Sequence, residues 1–99
     1  MTVMDGQKDD SGKDRWELVP WSALRQIVAA ITYGARKYSA DNWKRVEPAR
    51  YRAALMRHVS ASFSGERVDA ESGLPHLAHA GACLLFILWH EAEGEENGR

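Results

Sequence analysis

Residues His76 to Ala92 read HLAHAGACLLFILWHEA, and the interpretation of this stretch decides the fold. Ser72 or Gly73 can cap a helix here, with Pro75 in its first turn. From His76 to about Ala92 that helix is apolar nearly all round, which requires burial on several sides. The nearly apolar run from Leu77 to Trp89 is 13 residues and is interrupted by His79. A bilayer span needs about 20 residues, so no membrane helix is expected. In a chain of three helices no single neighbour covers such a surface, and a homo-oligomer built through this third helix is the expected remedy.

Working outward, Pro48 suits the first turn of a second helix. Tyr51, Leu55, His58 and Val59 follow at helical spacing, with Ser62 and Phe63 prolonging the stripe, and Gly65 marks the stop. Further back, Ser22 is a plausible N-cap for a first helix running to about Tyr38. Its stripe is Leu24, Ile27, Val28, Ile31, Ala35 and Tyr38. Between the two lies SADNWKRVE (Ser39 to Glu47), read as a polar loop with one tryptophan. RWELVPW (Arg15 to Trp21) is read as an ordered lead-in. Residues 1–14 lack periodicity and are expected to form a flexible arm. The domain proper is placed at 15–92, with a charged tail at 93–99. No strand-like alternation persists, so the expected class is all-α, a small bundle of three main helices.

The chain has 99 residues, one domain's worth, with 44% hydrophobic and 27% charged residues, a composition that excludes a disordered or collagenous chain. The single cysteine, Cys83, cannot form an internal bridge, and the acidic start MTVMDGQKDD is unlike a signal peptide. A cytoplasmic protein is therefore expected. The net charge of −1 conceals a balance of −2 over residues 1–19, +6 over 20–68 and −5 over 69–99. A basic middle on a near-neutral protein fits a local anion site better than a nucleic-acid coat, and no nucleic-acid polymer is expected as a partner. A set of solvated helix faces would give the same count.

Two constellations can carry chemistry. His76 and His79, at i and i+3, leave one face of the third helix, and His58 lies on the core stripe of the second. Together they can chelate a metal, with Glu71 and Asp69 in the preceding loop supplying carboxylate oxygens. Imidazole plus carboxylate leans toward Mn²⁺, Zn²⁺ or Fe²⁺ over Mg²⁺ alone. The plain alternative is that these histidines only satisfy helix ends and the loop. His90, four turns on, is read as a solvent-side or C-terminal helix histidine and left out. The second constellation is Arg36, Lys37, Tyr38, Asn42, Trp43, Lys44 and Arg45, in which cations suit phosphate, and aromatic and amide groups suit a base. Its alternative is a basic helix end followed by a tryptophan docked on the core. Lys13 and Arg15 join this set if the arm folds back. Glycine-rich phosphate loops and the G-x-S-x-G elbow are missing, and Cys83 sits in an apolar helix where a thiol stays protonated. Any hydrolysis would therefore use activated water.

The strings DSGKDRWELVP (Asp10 to Pro20), ITYGARKYSADNW (Ile31 to Trp43), LMRH (Leu55 to His58) and DAESGLPHLAHA (Asp69 to Ala80) occur in order. In them the chain resembles the dATP/dGTP diphosphohydrolase N-terminal domain family, common in phages and similar to the MazG-like all-α nucleotide pyrophosphohydrolases. The resemblance implies metal-dependent hydrolysis of a deoxypurine triphosphate, dGTP or dATP, to monophosphate and pyrophosphate, in the host cytoplasm if the gene is a phage's. It implies a divalent metal, Mg²⁺ or Mn²⁺ with Zn²⁺ or Fe²⁺ as alternatives, and the residues at hand to hold it are His58, His76 and His79 with Glu71. Glu71 and Asp69 would serve catalysis, and Lys13, Arg36, Lys37, Asn42 and Trp43 would bind the substrate. The wider superfamily carries E-x-x-E and E-x-x-D pairs. Here His58 and Ala61 stand in the place of the first pair, and His76 and His79 in that of the second. The departure leaves a second reading open, a helical protein that binds and sequesters a nucleotide without cleaving it. A third is a purely structural helical oligomer.

Overall fold

The computed structural model describes residues 4–96 and is all-helical. Helix α1 spans Trp21–Lys37, α2 spans Pro48–Phe63 and α3 spans His76–Glu96, with short 3₁₀ turns at Trp16–Leu18 and Asn42–Arg45. The extended pairing among the described residues is one isolated antiparallel bridge, Val68 with Pro75. No described helix is long and apolar enough to cross a membrane.

The helix starts differ from the sequence expectation in one consistent way. Pro20, not Ser22, caps α1: its carbonyl accepts the amides of Ala23 and Leu24, and Ser22 lies inside the first turn. Pro75 does the same for α3, accepting the amides of Ala78 and His79. A proline's fixed φ presents its carbonyl to a following helix, and it has no amide proton to leave unsatisfied. Ser72 is thereby freed from capping: its Oγ accepts the Leu74 amide and meets the His79 ring. At the other end α3 runs on through residues assigned to a charged tail, to Glu96. Residues 1–3 of the expected arm and 97–99 of the tail lie outside the described residues. Residues 4–14 of the arm are exposed, with one turn closed by the Lys13 amide on the Asp10 carbonyl.

Both α1 and α2 pack on α3, and both run opposite to it. Ile27 of α1 meets Gly81 while Tyr33 meets His79; Tyr51 of α2 meets Phe86 while His58 meets His76 and His79. Residues 38–47 therefore carry the chain back along α3 from the end of α1 to the start of α2. Close approach of α1 depends on small residues. Ala30 packs between Ala78 and Ala82, with Ile27, Ile31, Leu74 and Phe86 around them. A Cβ on Gly81 would lie 2.5 Å from Ile27 Cδ1, so a larger residue there would have to displace the Ile27 side chain that packs over it. The expected α1 stripe is correct at Ile27 and Ile31 but not at Val28 or Tyr38, which are 50% and 65% exposed. The face is rotated toward Ala30 because the small residues of α3 admit a small partner there.

The resulting core is thin. Its buried apolar residues are Ala30, Ala78, Ala80, Ala82, Cys83 and Ile87, and no large side chain among the described residues is fully buried. Alanine offers little area to a transfer term of about 25 cal/mol per Å². Leu77, Leu84 and Leu88 of α3 remain half exposed.

Candidate functional site

Because α1 and α2 each lean on α3, a cleft of about 950 Å³ opens between them. The floor is α3, with Ala82, Cys83 and Phe86. The 3₁₀ turn bearing Trp43 closes one end, and the loop bearing Asp69 and Glu71 closes the other. The volume falls within the ordinary range for small-molecule pockets, roughly 300–1,000 Å³.

The loop end holds the titratable cluster. Asp69 is fixed by its backbone: its amide donates to the Leu74 carbonyl, and its own carbonyl accepts the Gly73 amide at 2.8 Å. Gly73 allows this closure by adopting a φ of +75°, a region that disfavours side chains. The Asp69 carboxylate accepts the Glu71 amide at 2.8 Å, an Asx turn. Facing it, His58 Nδ1 and His76 Nδ1 are 2.9 Å apart, and the His58 ring stacks on His79 at 4.9 Å and 17°. His76 Nε2 reaches Glu66 Oε2 at 3.2 Å, and His79 Nε2 lies 2.7 Å from Ser72 Oγ and 3.9 Å from Asp69 Oδ2. One ligand atom from each of His58, Asp69 and His76 falls within 4.8 Å of the others, a grouping that can hold a metal ion. The donor set fits a divalent cation: two imidazole nitrogens and one carboxylate oxygen suit Mn²⁺, Zn²⁺ or Fe²⁺. In this hydrogen bond one Nδ1 donates to the other, and both offer lone pairs once the donating ring takes its Nε2–H tautomer.

Electrostatics prepare these groups. Burial depresses the His58 pKa first, aided by the nearby His79 and His76, and burial likewise depresses that of His79. Both rings are thereby held toward the neutral, ligating form. Burial alone would raise the pKa of Asp69, but the Glu71 amide, the charge of His79 and the Ser72 amide outweigh it and hold the carboxyl below its usual range. Glu71 is lowered by hydrogen bonds, first from Tyr33 at 2.6 Å and then from Lys37 at 3.0 Å.

Of the residues singled out from the sequence, His58, Asp69, Glu71, His79, Lys37, Asn42 and Trp43 all line this cleft. His76 stands behind His58, nearly buried. Glu71 is tied to α1 through Tyr33 and Lys37, both bonds on its Oε2. Trp43 stacks on Phe86 at 4.6 Å and 12° and meets Trp89 edge-on, so it is docked on α3 as well as lining the cleft. Arg36 faces a different groove, beside Arg25, Val28 and Leu74, and Lys13 lies on the exposed segment before α1. His90, expected at the solvent side, is only 8% exposed: its Nε2 lies 3.2 Å from the Trp43 carbonyl, and the two aromatic rings beside it exclude water. Sequence reasoning missed Tyr33, which its i, i+4 spacing from Lys37 could have flagged.

A family model described as "dATP/dGTP diphosphohydrolase, N-terminal" matches residues 4–99. The chain belongs to this family. It is also 34% identical over 86 residues to a dATP/dGTP diphosphohydrolase of Salmonella phage PMBT28, covering 87% of this chain and 30% of that relative. The chain thus spans under a third of the relative's length. No solved structure matches it.

The histidine pair gives this family member a pH signature. The unfolded chain takes up protons near the ordinary histidine pKa of 6.5, while folded His58 and His79 resist them to lower pH. The unfolded state then binds more protons, so this contribution is complete above 6.5 and is lost as pH falls below it. In chelator-treated protein, Tm should fall as pH drops below about 6.5, with a shallower fall in His79→Gln. A thermal melt series that is flat or rises on acidification would contradict the neutral-ring assignment.

Proposed function

We propose that this chain is the nucleotide-hydrolysing domain of a divalent-metal-dependent enzyme. It converts a deoxypurine triphosphate, dGTP or dATP, to the monophosphate and pyrophosphate. The observation that supports this reading is the meeting of His58, Asp69 and His76 at one end of a nucleotide-sized cleft, in a family whose name gives that activity. The Salmonella phage relative carries the same name.

His58, Asp69 and His76 would hold the cation, with His79 beside them. When bound, a divalent cation there supplies positive charge for the phosphate oxygens and lowers the pKa of water. Glu71, kept ionised by Tyr33 and Lys37, faces the cleft and accepts a hydrogen bond from the attacking water, which orients it. The water oxygen bonds to the α-phosphorus as the bond to the oxygen bridging the α- and β-phosphates breaks; pyrophosphate leaves, and the water's proton passes by way of the Glu71 carboxylate to solvent. Lys37 stabilises the growing negative charge. Asn42 and Trp43 border the other end, where the base would lie. With every common dNTP and NTP tested under Mg²⁺ and Mn²⁺, the protein should release monophosphate and pyrophosphate from dGTP or dATP. His58→Ala and His76→Ala should lose turnover by 10²-fold or more while retaining helicity, a loss on the scale of about 3 kcal/mol. Nucleotides bound but recovered intact would favour the sequestering reading, which the substitution of histidines for acidic pairs makes the natural rival.

We propose that α3 also carries a self-association surface. Leu77, Leu84 and Leu88, 50%, 50% and 58% exposed, fall on one face of α3 over a core without large buried side chains. A second copy, packed through the same stripe, would cover them. Wild-type protein should elute as a dimer or larger in light-scattering chromatography, and Leu84→Glu with Leu88→Glu should shift it toward monomer. A monomeric wild type at tens of micromolar would reject this assembly.

A further inference from the structure

Helix α2 is basic in an unusual way. Between Pro48 and Phe63 it carries Arg50, Arg52 and Arg57 and no acidic residue at all. Arginines on a solvated helix are commonly laced to acidic residues three or four positions away; Arg57 has none at that spacing, and Glu47, three positions before Arg50 at the cap, forms no ion pair with it. Nor do Arg50 and Arg57 form an ion pair with any other described residue, whereas Lys37 across the cleft is occupied by Glu71. Two of the three line the cleft, Arg50 and Arg57, and Arg52 does not.

Their placement follows from the helix. Seven residues make two turns, so both guanidiniums leave the same side of α2, about 10 Å apart along its axis. Ala53 and Ala54 between them also line the cleft, which keeps the wall low and lets both arginines reach over it. Arg57 adjoins His58, and its charge is felt both there and at the Cys83 thiol on the floor. Arg50 adjoins Tyr51, beside Phe86. Glu47 and Asp69 are the other carboxylates facing this space besides Glu71. One arginine thus stands next to the metal-ligand cluster and the other next to the aromatic end.

We propose that Arg50 and Arg57 form a two-point polyphosphate subsite along the α2 wall, one that takes a chain of two or more phosphoryl groups in preference to a monophosphate. The inference rests on the nucleotide reading above and replaces its expected phosphate contacts at Arg36 and Lys13, which the fold places elsewhere. Arginine forks bind phosphate oxygens bidentately, and two of them separated along a groove reward a ligand long enough to touch both. A cleaved monophosphate would touch one and leave readily.

The test is calorimetric binding of inorganic tripolyphosphate and of orthophosphate to the full chain, in the presence of Mn²⁺. Tripolyphosphate should bind more tightly than orthophosphate, and Arg50→Gln and Arg57→Gln should each weaken it roughly tenfold, as loss of one charged hydrogen-bonding group does. Arg57→Lys, which keeps the charge and loses the fork, should weaken it less than Arg57→Gln. Arg52→Gln, of the same charge change but off the cleft, should bind as wild type does. Equal binding by the Arg50 and Arg57 variants and wild type would overturn the subsite. So would an equal loss in Arg52→Gln, which would mark a diffuse charge effect. Arginine-dependent tripolyphosphate binding with no nucleotide cleavage would uphold the subsite while rejecting hydrolysis. Cleavage at wild-type rates and KM in both arginine variants would do the reverse.

Discussion

The structure depends on how closely α1 can approach α3. Gly81 and three alanines, at 30, 78 and 82, let the two backbones come together with Ile27 lying over the glycine. Bulky residues at that seam would part the helices and, with them, the two walls of the cleft. Because α2 packs on another side of the same helix and runs in the same direction as α1, the chain between them must travel the length of α3. That return segment brings Trp43 to the Phe86 end, while the end of α1 brings Tyr33 and Lys37 to the loop end. The cleft is thus a consequence of one shared helix with small residues along its contact faces.

Within the cleft, opposite demands are met by different means. Imidazoles must be neutral to ligate, and partial burial of His58 and His79 favours that form. Carboxylates must be charged, and burial works against them. Asp69 is rescued by backbone amides of its own turn, while Glu71, in the open, relies on the Tyr33 hydroxyl and the Lys37 ammonium. The loop between α2 and α3 therefore supplies the amides that keep a half-buried carboxylate ionised beside neutral histidines.

The three helices were legible in the sequence because their apolar residues group and because Pro48 and Pro75 mark the starts of the second and third; the same role of Pro20 was not read. What escaped is what depends on neighbours. Val28 fits the α1 stripe by spacing but is exposed, since the pairing of Ala30 with α3 sets the rotation. Ser22 and Ser72 are good caps in isolation, yet a proline carbonyl takes the position in each case. His90 looked solvent-facing because nothing local shows that Trp43, 47 positions away, folds over it. The metal-ligand grouping was half visible. His58, Asp69 and His76 were all named among the candidates, but spacing did not show that these three converge while His79 turns to Ser72. Arg50 and Arg57 were hidden by the same logic, because only the arrangement of three helices gives one side of α2 a cleft to face.

We propose that His58, Asp69 and His76 form a divalent-cation site at the loop end of the cleft. It is met most directly by diffraction from crystals of the protein grown with Mn²⁺, measured on both sides of the manganese edge. One anomalous peak per chain is expected within coordination distance of His58, Asp69 and His76. A peak elsewhere, or none while His58 and His76 keep their mutual hydrogen bond, would contradict it.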